Sequence, residues 1–129
     1  MRKMIRVQDS EITEERIQFF IQEQEPAEAI EASGQMIADS DEPAFVYLVD
    51  TGTQYIYIRF EEPLWPALTK ALQRDSLPLL IWGSQVLPLV AFQEELWMLL
   101  ENIKDNNNYG ELFQTAVETA FHEALASRG

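Results

Sequence analysis

The chain has 129 residues, a length typical of one domain, and its 47% hydrophobic content is that of a globular protein. Its net charge of −13 disfavours binding to nucleic acid or to a membrane surface, because both require clustered cations. The absence of cysteine excludes disulfides, thiolate catalysis and cysteine-ligated zinc. No signal peptide is recognisable, and the most apolar segment, 77–92, is too interrupted to span a bilayer. We therefore expect a cytoplasmic protein.

Negative charge is concentrated in residues 9–42. This segment holds eleven acidic residues against one basic residue, Arg16. Such a segment forms a solvated face, a docking surface for a basic protein partner, or a mimic of nucleic acid. If the segment is a docking surface, the contact surface of the protein partner is basic.

The N-terminal part predicts a β-hairpin. Ile5 and Val7 alternate with polar residues, and so do the apolar residues of 17–21, which places each apolar set on one face. Ile12 is out of phase with Ile5 and Val7, which predicts a bulge or a strand break near it.

A short helix is predicted over Pro26 to Gly34. Proline near the start, glycine at the end and good helix formers between them are typical of such a helix. Residues 35–38 fit either a continuation of that helix or a short strand. Residues 39–43 have the composition of a turn.

The clearest predicted hairpin pairs residues 44–49 with residues 54–60. Both of its faces are apolar or aromatic, as in a central strand pair that is covered on both sides or in one that leaves a face open for binding. The turn contains Asp50-Thr51-Gly52, which resembles the active-site turn of aspartic proteases. That chemistry requires two such aspartates, and an ordinary hairpin turn has the same residue types.

The next elements are a helix and a second hairpin. Residues 63–75 are predicted to be helical, because large apolar side chains recur there at helical spacing. Strands 79–82 and 85–89 flank Gly83, whose position suits a type II′ turn. Pro88 lacks an amide hydrogen, which indicates an edge strand.

Two amphipathic helices, with apolar faces in 92–103 and 112–125, end the chain and flank the polar loop 105–110. We therefore predict a single α+β domain over residues 1–129, with a mainly antiparallel sheet of β-hairpins packed against helices and a C-terminal αα-hairpin. The order of the strands and the oligomeric state stay open.

Motifs for catalysis or cofactor binding are not recognisable. The chain has no glycine-rich phosphate loop, and the spacing marks no partner for its single histidine, His122. The acidic turn at Asp39 lacks the ligand spacing of a calcium loop. We expect no catalytic residue, no metal and no cofactor.

Two strings resemble a known family. Gly34-Gln35-Met36-Ile37-Ala38-Asp39-Ser40-Asp41 and Glu101-Asn102-Ile103-Lys104-Asp105-Asn106-Asn107-Asn108-Tyr109-Gly110 are similar to the YjbL-like family of small proteins from low-GC Gram-positive bacteria. The similarity extends from about Gly34 to Phe121. The resemblance implies a bacterial cytoplasmic protein and transfers no activity or residue role.

Both strings include polar loops, which makes these loops the candidate contact sites. The three asparagines of the second loop either cap the adjoining helices or present amides for recognition, together with a tyrosine hydroxyl. The candidate contact residues are Asp39, Asp41, Asn106, Asn107, Asn108 and Tyr109.

The sequence thus favours a non-catalytic protein-interaction or regulatory module. The alternative is a small-ligand-binding protein or an enzyme that uses the loops Asp39–Asp41 and Asp105–Tyr109. That alternative requires the two loops to line one pocket.

Overall fold

The computed structural model describes residues 3–104 and 106–128, which form eight strands and four α-helices. The strands are β1 (Lys3–Arg6), β2 (Asp9–Ile12), β3 (Ile17–Ile21), β4 (Glu31–Asp39), β5 (Ala44–Asp50), β6 (Tyr55–Glu61), β7 (Leu79–Trp82) and β8 (Gln85–Pro88). The helices are α1 (Trp65–Leu72), α2 (Phe92–Ile103), α3 (Glu111–Ala120) and α4 (His122–Arg128), with 3-10 turns at Glu62–Leu64 and Asn107–Tyr109. The predicted α+β class is confirmed.

The strands form two four-stranded sheets. The first sheet has the order β1-β6-β5-β4, and the second has the order β2-β3-β7-β8. Four of the pairings are antiparallel, whereas β1 pairs with β6 and β3 pairs with β7 in parallel. Each parallel pairing joins a strand of the N-terminal segment to a strand far along the chain, which the local pattern of the sequence does not encode.

The predicted N-terminal hairpin is only partly correct, because the chain changes sheets within it. The amide of Val7 donates to the carbonyl of Arg59 in the first sheet, and the amide of Gln8 donates to that of Phe20 in the second, each at 3.0 Å. Consequently β1 pairs with β6, and it is β2 that forms the hairpin with β3. The break lies before Asp9, not near Ile12.

The predicted helix over Pro26 to Gly34 is wrong, because residues 31–39 form β4. This strand pairs with β5, with a β-bulge between Ala32 and Met36. Residues 35–38 are therefore strand, the second of the two alternatives. Helix propensity differs by less than about 1 kcal/mol per ordinary residue, and tertiary strand pairing overrides it here.

Side chains satisfy the backbone where the bulge interrupts the ladder. Gly34 has a φ of +76°, and its amide donates to the Tyr47 hydroxyl at 3.2 Å. The Tyr47 hydroxyl in turn donates to the carbonyl of Val90 at 2.7 Å, and burial raises the pKa of Tyr47. The amide of Met36 donates to Oε1 of Glu95 at 3.2 Å. These bonds fasten β4 to the start of α2.

The hairpin of β5 and β6 is confirmed. Asp50 Oδ1 accepts a hydrogen bond from the amide of Gly52 at 2.7 Å, and the amide of Thr51 donates to the carbonyl of Gln54 at 3.0 Å. The Asp-Thr-Gly string therefore forms the tight turn of this hairpin.

One continuous core lies between the inner faces of both sheets and the helices. Phe19 of the second sheet packs edge-on against Phe60 of the first, with ring centroids 4.9 Å apart. Phe92 of α2 contacts Phe60 at 5.5 Å, and Trp65 of α1 contacts Phe45 at 5.3 Å. The apolar faces predicted for residues 63–75 and 92–103 are confirmed by the burial of Trp65, Leu68, Phe92, Leu96, Leu100 and Ile103.

Of the two remaining predicted elements, one differs in detail and the other is confirmed. The helix predicted over 112–125 is divided at Phe121, whose φ of −107° and ψ of +19° end α3 before α4 begins. The hairpin of β7 and β8 is confirmed, with Gly83 at a φ of +59° in its two-residue turn. Strand β8 lies at a sheet edge, as Pro88 indicates.

Candidate interaction surface

Asp39, a predicted contact residue, is held by a buried arginine. Its Oδ2 accepts a hydrogen bond from Arg59 Nη1 at 2.8 Å, and the Arg59 side chain is only 7% exposed. Arg59 Nη2 also donates to the carbonyl of Glu42 at 2.6 Å. The guanidinium thus joins the end of β4 to the turn that follows it.

The second oxygen of Asp39 organises this turn. Oδ1 accepts the amide of Asp41 at 3.0 Å and the amide of Glu42 at 3.4 Å. Burial disfavours the charged carboxyl, but the bonds from Arg59 and from the two turn amides outweigh burial and hold the pKa of Asp39 below its usual range. Asp39 is therefore ionised at neutral pH.

Asp41 is exposed in the same turn. It lines an open cleft of about 500 Å³, together with Glu42, Pro43, Glu61, Glu62 and Pro63. Four carboxylates surround this cleft, which makes it strongly anionic. The structure thus brings Asp39 and Asp41 together.

The asparagine loop has local hydrogen-bonding and packing roles. Asn106 Oδ1 accepts the amide of Asn108 at 2.9 Å, and the Asn106 amide donates to the carbonyl of Ile103 at 3.0 Å. The half-buried ring of Tyr109 packs on Phe113, with centroids 5.8 Å apart.

Asp105 and the side chain of Asn107 lie outside the described residues. Among the described residues, no hydrogen bond or ion pair joins the loop 106–109 to Asp39 or Asp41. Use of both loops in one site therefore stays a prediction.

The outward-facing side of the first sheet was not identified as a site from the sequence. The register places four cross-strand rows on this side: Glu61–Ala44–Asp39, then Arg6–Arg59–Val46–Ile37, then Met4–Tyr57–Leu48, and then Tyr55–Asp50–Glu31. We call these residues the first-sheet outer face.

The middle of the first-sheet outer face is apolar apart from Arg6 and Arg59, which pair with carboxylates of the face. Ala44, Val46 and Leu48 are buried in a small cluster of their own, separate from the central core. The exposed side chains around them are Met4, Ile37 and Tyr55, with exposures of 46%, 42% and 47%. Among the described residues, the hydrophobic side chains packed in this cluster all belong to the sheet itself.

Both ends of the first-sheet outer face are acidic. At one end, Asp39 pairs with Arg59 and Glu61 pairs with Arg6. The negative charge of this end therefore comes from the other carboxylates of the adjoining anionic cleft. Asp50 and Glu31 are paired at the opposite end. Along β5, the six-residue separation of the two ends corresponds to about 20 Å. The hairpin itself already places Glu61 and Asp50 at the two ends of this face. The long-range pairing of β4 adds Asp39 at the first end and Glu31 at the second.

His122 is exposed at the start of α4. It borders an open, polar cleft of about 1030 Å³ along α3, together with Glu111, Gln114, Thr115, Glu118 and Thr119. Within residues 3–104 and 106–128, no three histidine, aspartate or glutamate side chains are grouped as metal ligands. In the same ranges, no helix is both long enough and apolar enough to cross a bilayer.

Fold and surface together define a small α+β protein whose first-sheet outer face carries exposed apolar side chains between acidic ends. Comparison with known proteins places it more closely: residues 5–121 match a family of unknown function, UPF0738, and the chain belongs to this family. The family resemblance seen in the sequence is thereby confirmed. No solved structure matches the chain significantly.

The relatives are bacterial proteins of similar length. A UPF0738 protein of Lysinibacillus sphaericus is 37% identical over 126 residues, which cover 98% of this chain and 99% of the relative. The UPF0738 protein YjbL of Bacillus subtilis is 34% identical over 94% of this chain and 99% of its own. A relative from Staphylococcus epidermidis is 42% identical over 76% of this chain and 81% of its own.

Proposed function

We propose that this protein is a non-catalytic interaction module whose first-sheet outer face binds a basic protein partner. The observation that carries the proposal is the apolar strip of this face, which lies between two acidic ends. The partner presents apolar side chains flanked on both sides by lysine or arginine.

The exposed apolar side chains supply the contact energy for this interaction. Met4, Ile37 and Tyr55 surround the buried Val46 and Leu48, so a partner that covers them completes a small hydrophobic cluster. Burial of apolar area contributes about 25 cal/mol per Å². Tyrosine and methionine are also enriched at protein interfaces.

The acidic ends supply the specificity. Carboxylates about 20 Å apart along the strands fit cations at the two ends of a bound segment of about six extended residues, or of about 13 helical ones. The excess of acidic residues over the whole chain steers a basic partner towards it and repels acidic competitors.

Photo-crosslinking in cells of the source bacterium tests the proposal. A benzoylphenylalanine residue is placed at Tyr55 or at Ile37 on the face, and at Leu112 as the control. Leu112 is 89% exposed on α3, away from the face. We expect Tyr55 and Ile37 to capture the same protein, through a peptide with basic residues on both sides of an apolar stretch. Equal capture at Leu112, capture through an acidic peptide, or no capture at all would contradict the proposal.

The captured protein is then purified, and its affinity is measured by calorimetry. The charge-reversal pair Glu31→Lys with Asp50→Lys is compared with Glu111→Lys with Glu123→Lys, which changes the net charge equally but lies on the C-terminal helices. We expect the first pair to weaken binding at least about tenfold and the second to weaken it much less. Equal weakening by both pairs would show that net charge alone attracts the partner.

A further inference from the structure

We propose that the outward-facing side of the second sheet is the contact surface of a weak, symmetric homodimer. This side is separate from the first-sheet outer face, and the inference goes beyond the proposed function. The occupant of the surface is a second copy of this chain.

The register defines the surface. It places two rows on the outward side of the second sheet, Asp9–Phe20–Ile81–Val86 and Glu11–Gln18–Leu79–Pro88. We call these residues the second-sheet outer face. The opposite side of the same strands carries the core residues Ile17, Phe19, Ile21, Leu80 and Trp82.

Apolar side chains occupy three of the four strands on this face. Val86 is 60% exposed, Pro88 is exposed, and Phe20, Leu79 and Ile81 are half-buried. None of these five belongs to a packed hydrophobic cluster of the described residues. An uncovered apolar surface of this kind marks a contact site.

The distribution of charge makes this the face on which a second copy can dock. Two chains with a net charge of −13 repel each other, so they associate only where the contact is free of like charges. On the second-sheet outer face, β3, β7 and β8 contribute no charged residue, and Asp9 and Glu11 lie on the edge strand β2. On the first-sheet outer face, by contrast, both ends are acidic, which opposes pairing with a second copy.

The acids of β2 also protect the sheet edge. Asp9 Oδ1 accepts the amide of Ser10 at 2.8 Å, so this amide is occupied by its own strand. Pro88 has no amide hydrogen to offer on the other edge. The two copies therefore meet face to face, not by extension of the sheet.

The size of the face sets the strength of the dimer. Four strands spaced about 4.8 Å apart, with four residues along each, give a face of roughly 19 by 13 Å. This is smaller than the roughly 800 Å² that each partner contributes to a standard interface. We therefore expect a dissociation constant between about 10 µM and about 1 mM.

Sedimentation of the purified chain, from about 1 µM to about 1 mM, tests the proposal. We expect dimerisation to increase with concentration and to be weakened at least tenfold in Val86→Glu. The matched control Leu112→Glu adds the same charge at an exposed site of α3 and retains dimerisation. Circular dichroism of both variants confirms that they are folded, which is expected because both positions are exposed.

Cysteine crosslinking gives a second readout, because the chain has no cysteine of its own. With a short bifunctional maleimide, Val86→Cys is expected to form covalent dimers, and Leu112→Cys is not. A chain that stays monomeric throughout, or a dimer that Val86→Glu leaves intact while Met4→Glu abolishes it, would overturn the proposal. These measurements use the chain alone, so their failure leaves the test of the basic partner unaffected.

Discussion

Arg59 carries a positive charge in a side chain that is only 7% exposed, and its hydrogen bonds run to Asp39 and to the carbonyl of Glu42. Arg59→Met removes the cation and leaves both acceptors without their partner. We expect this substitution to lower the free energy of unfolding by about 2 to 4 kcal/mol. Urea unfolding followed by tryptophan fluorescence measures the change.

The control for this prediction is Arg6→Met. Arg6 also pairs with a carboxylate of the first-sheet outer face, at 3.7 Å from Glu61, but its side chain is 62% exposed. We expect a change within about 0.5 kcal/mol. An equal loss in both variants would mean that the buried network around Arg59 stabilises the fold no more than the exposed pair of Arg6 and Glu61 does.

Asp39 makes the free energy of unfolding depend on pH in the acidic range. Its pKa is held below the ordinary value of 3.8 in the folded state, so its stabilising contribution is complete above that value and is lost as the pH falls through the lowered pKa. In Asp39→Asn this contribution is absent at every pH. The decrease in the urea midpoint between neutral pH and about pH 3 should therefore be smaller in the variant than in the parent chain. A decrease of the same size in both would contradict the assignment.

At the scale of elements, the junction of β4 with α2 contains two residues in left-handed conformation. Gly34 has a φ of +76° in the bulge, and Ala91 has a φ of +62° just before α2. Glycine adopts such angles without the steric penalty that a Cβ atom brings. The alanine is therefore strained where the glycine is not.

This difference predicts opposite effects for two substitutions. Ala91→Gly should raise the free energy of unfolding by up to about 1 kcal/mol, and Gly34→Ala should lower it by about 1 to 2 kcal/mol. A Cβ at Gly34 would lie 4.0 Å from the Cβ of Ala91, so conformation and not collision is responsible for the loss. Thermal and urea unfolding measure both, and a loss of stability in Ala91→Gly would refute this interpretation.

The same junction shows what the sequence could predict. Alternation over 44–60 and helical spacing over 92–103 are local, and they correctly predicted the central hairpin and α2. Alanine and glutamate around residue 30 predicted a helix. That prediction was wrong, because no local pattern reveals that β5 has a free edge with which this segment pairs. Likewise, nothing near Ile5 announces its parallel pairing with Ile58.

The candidate surfaces depend on that same long-range pairing. The sequence revealed an excess of acids and two polar loops, and the structure gives Asp39 a defined role at the end of β4. The sequence alone could not place Glu31 opposite Asp50, because that pair depends on the strand that was predicted as a helix. Residues of one face that come from distant strands become neighbours only through the register.

At the scale of the whole molecule, salt should affect the two proposed interactions in opposite directions. Raising the ionic strength from about 0.01 M to about 0.1 M shortens the Debye length from about 30 Å to about 10 Å. Screening reduces the repulsion between two copies of net charge −13, so self-association through the second-sheet outer face should strengthen. It also reduces the attraction of the first-sheet outer face for a basic partner, so that affinity should fall.

Sedimentation of the chain alone and calorimetry with the captured partner measure the two trends. If self-association weakened with salt, ion pairs between the copies would have to hold the dimer, and the apolar face of β3, β7 and β8 would not be its contact.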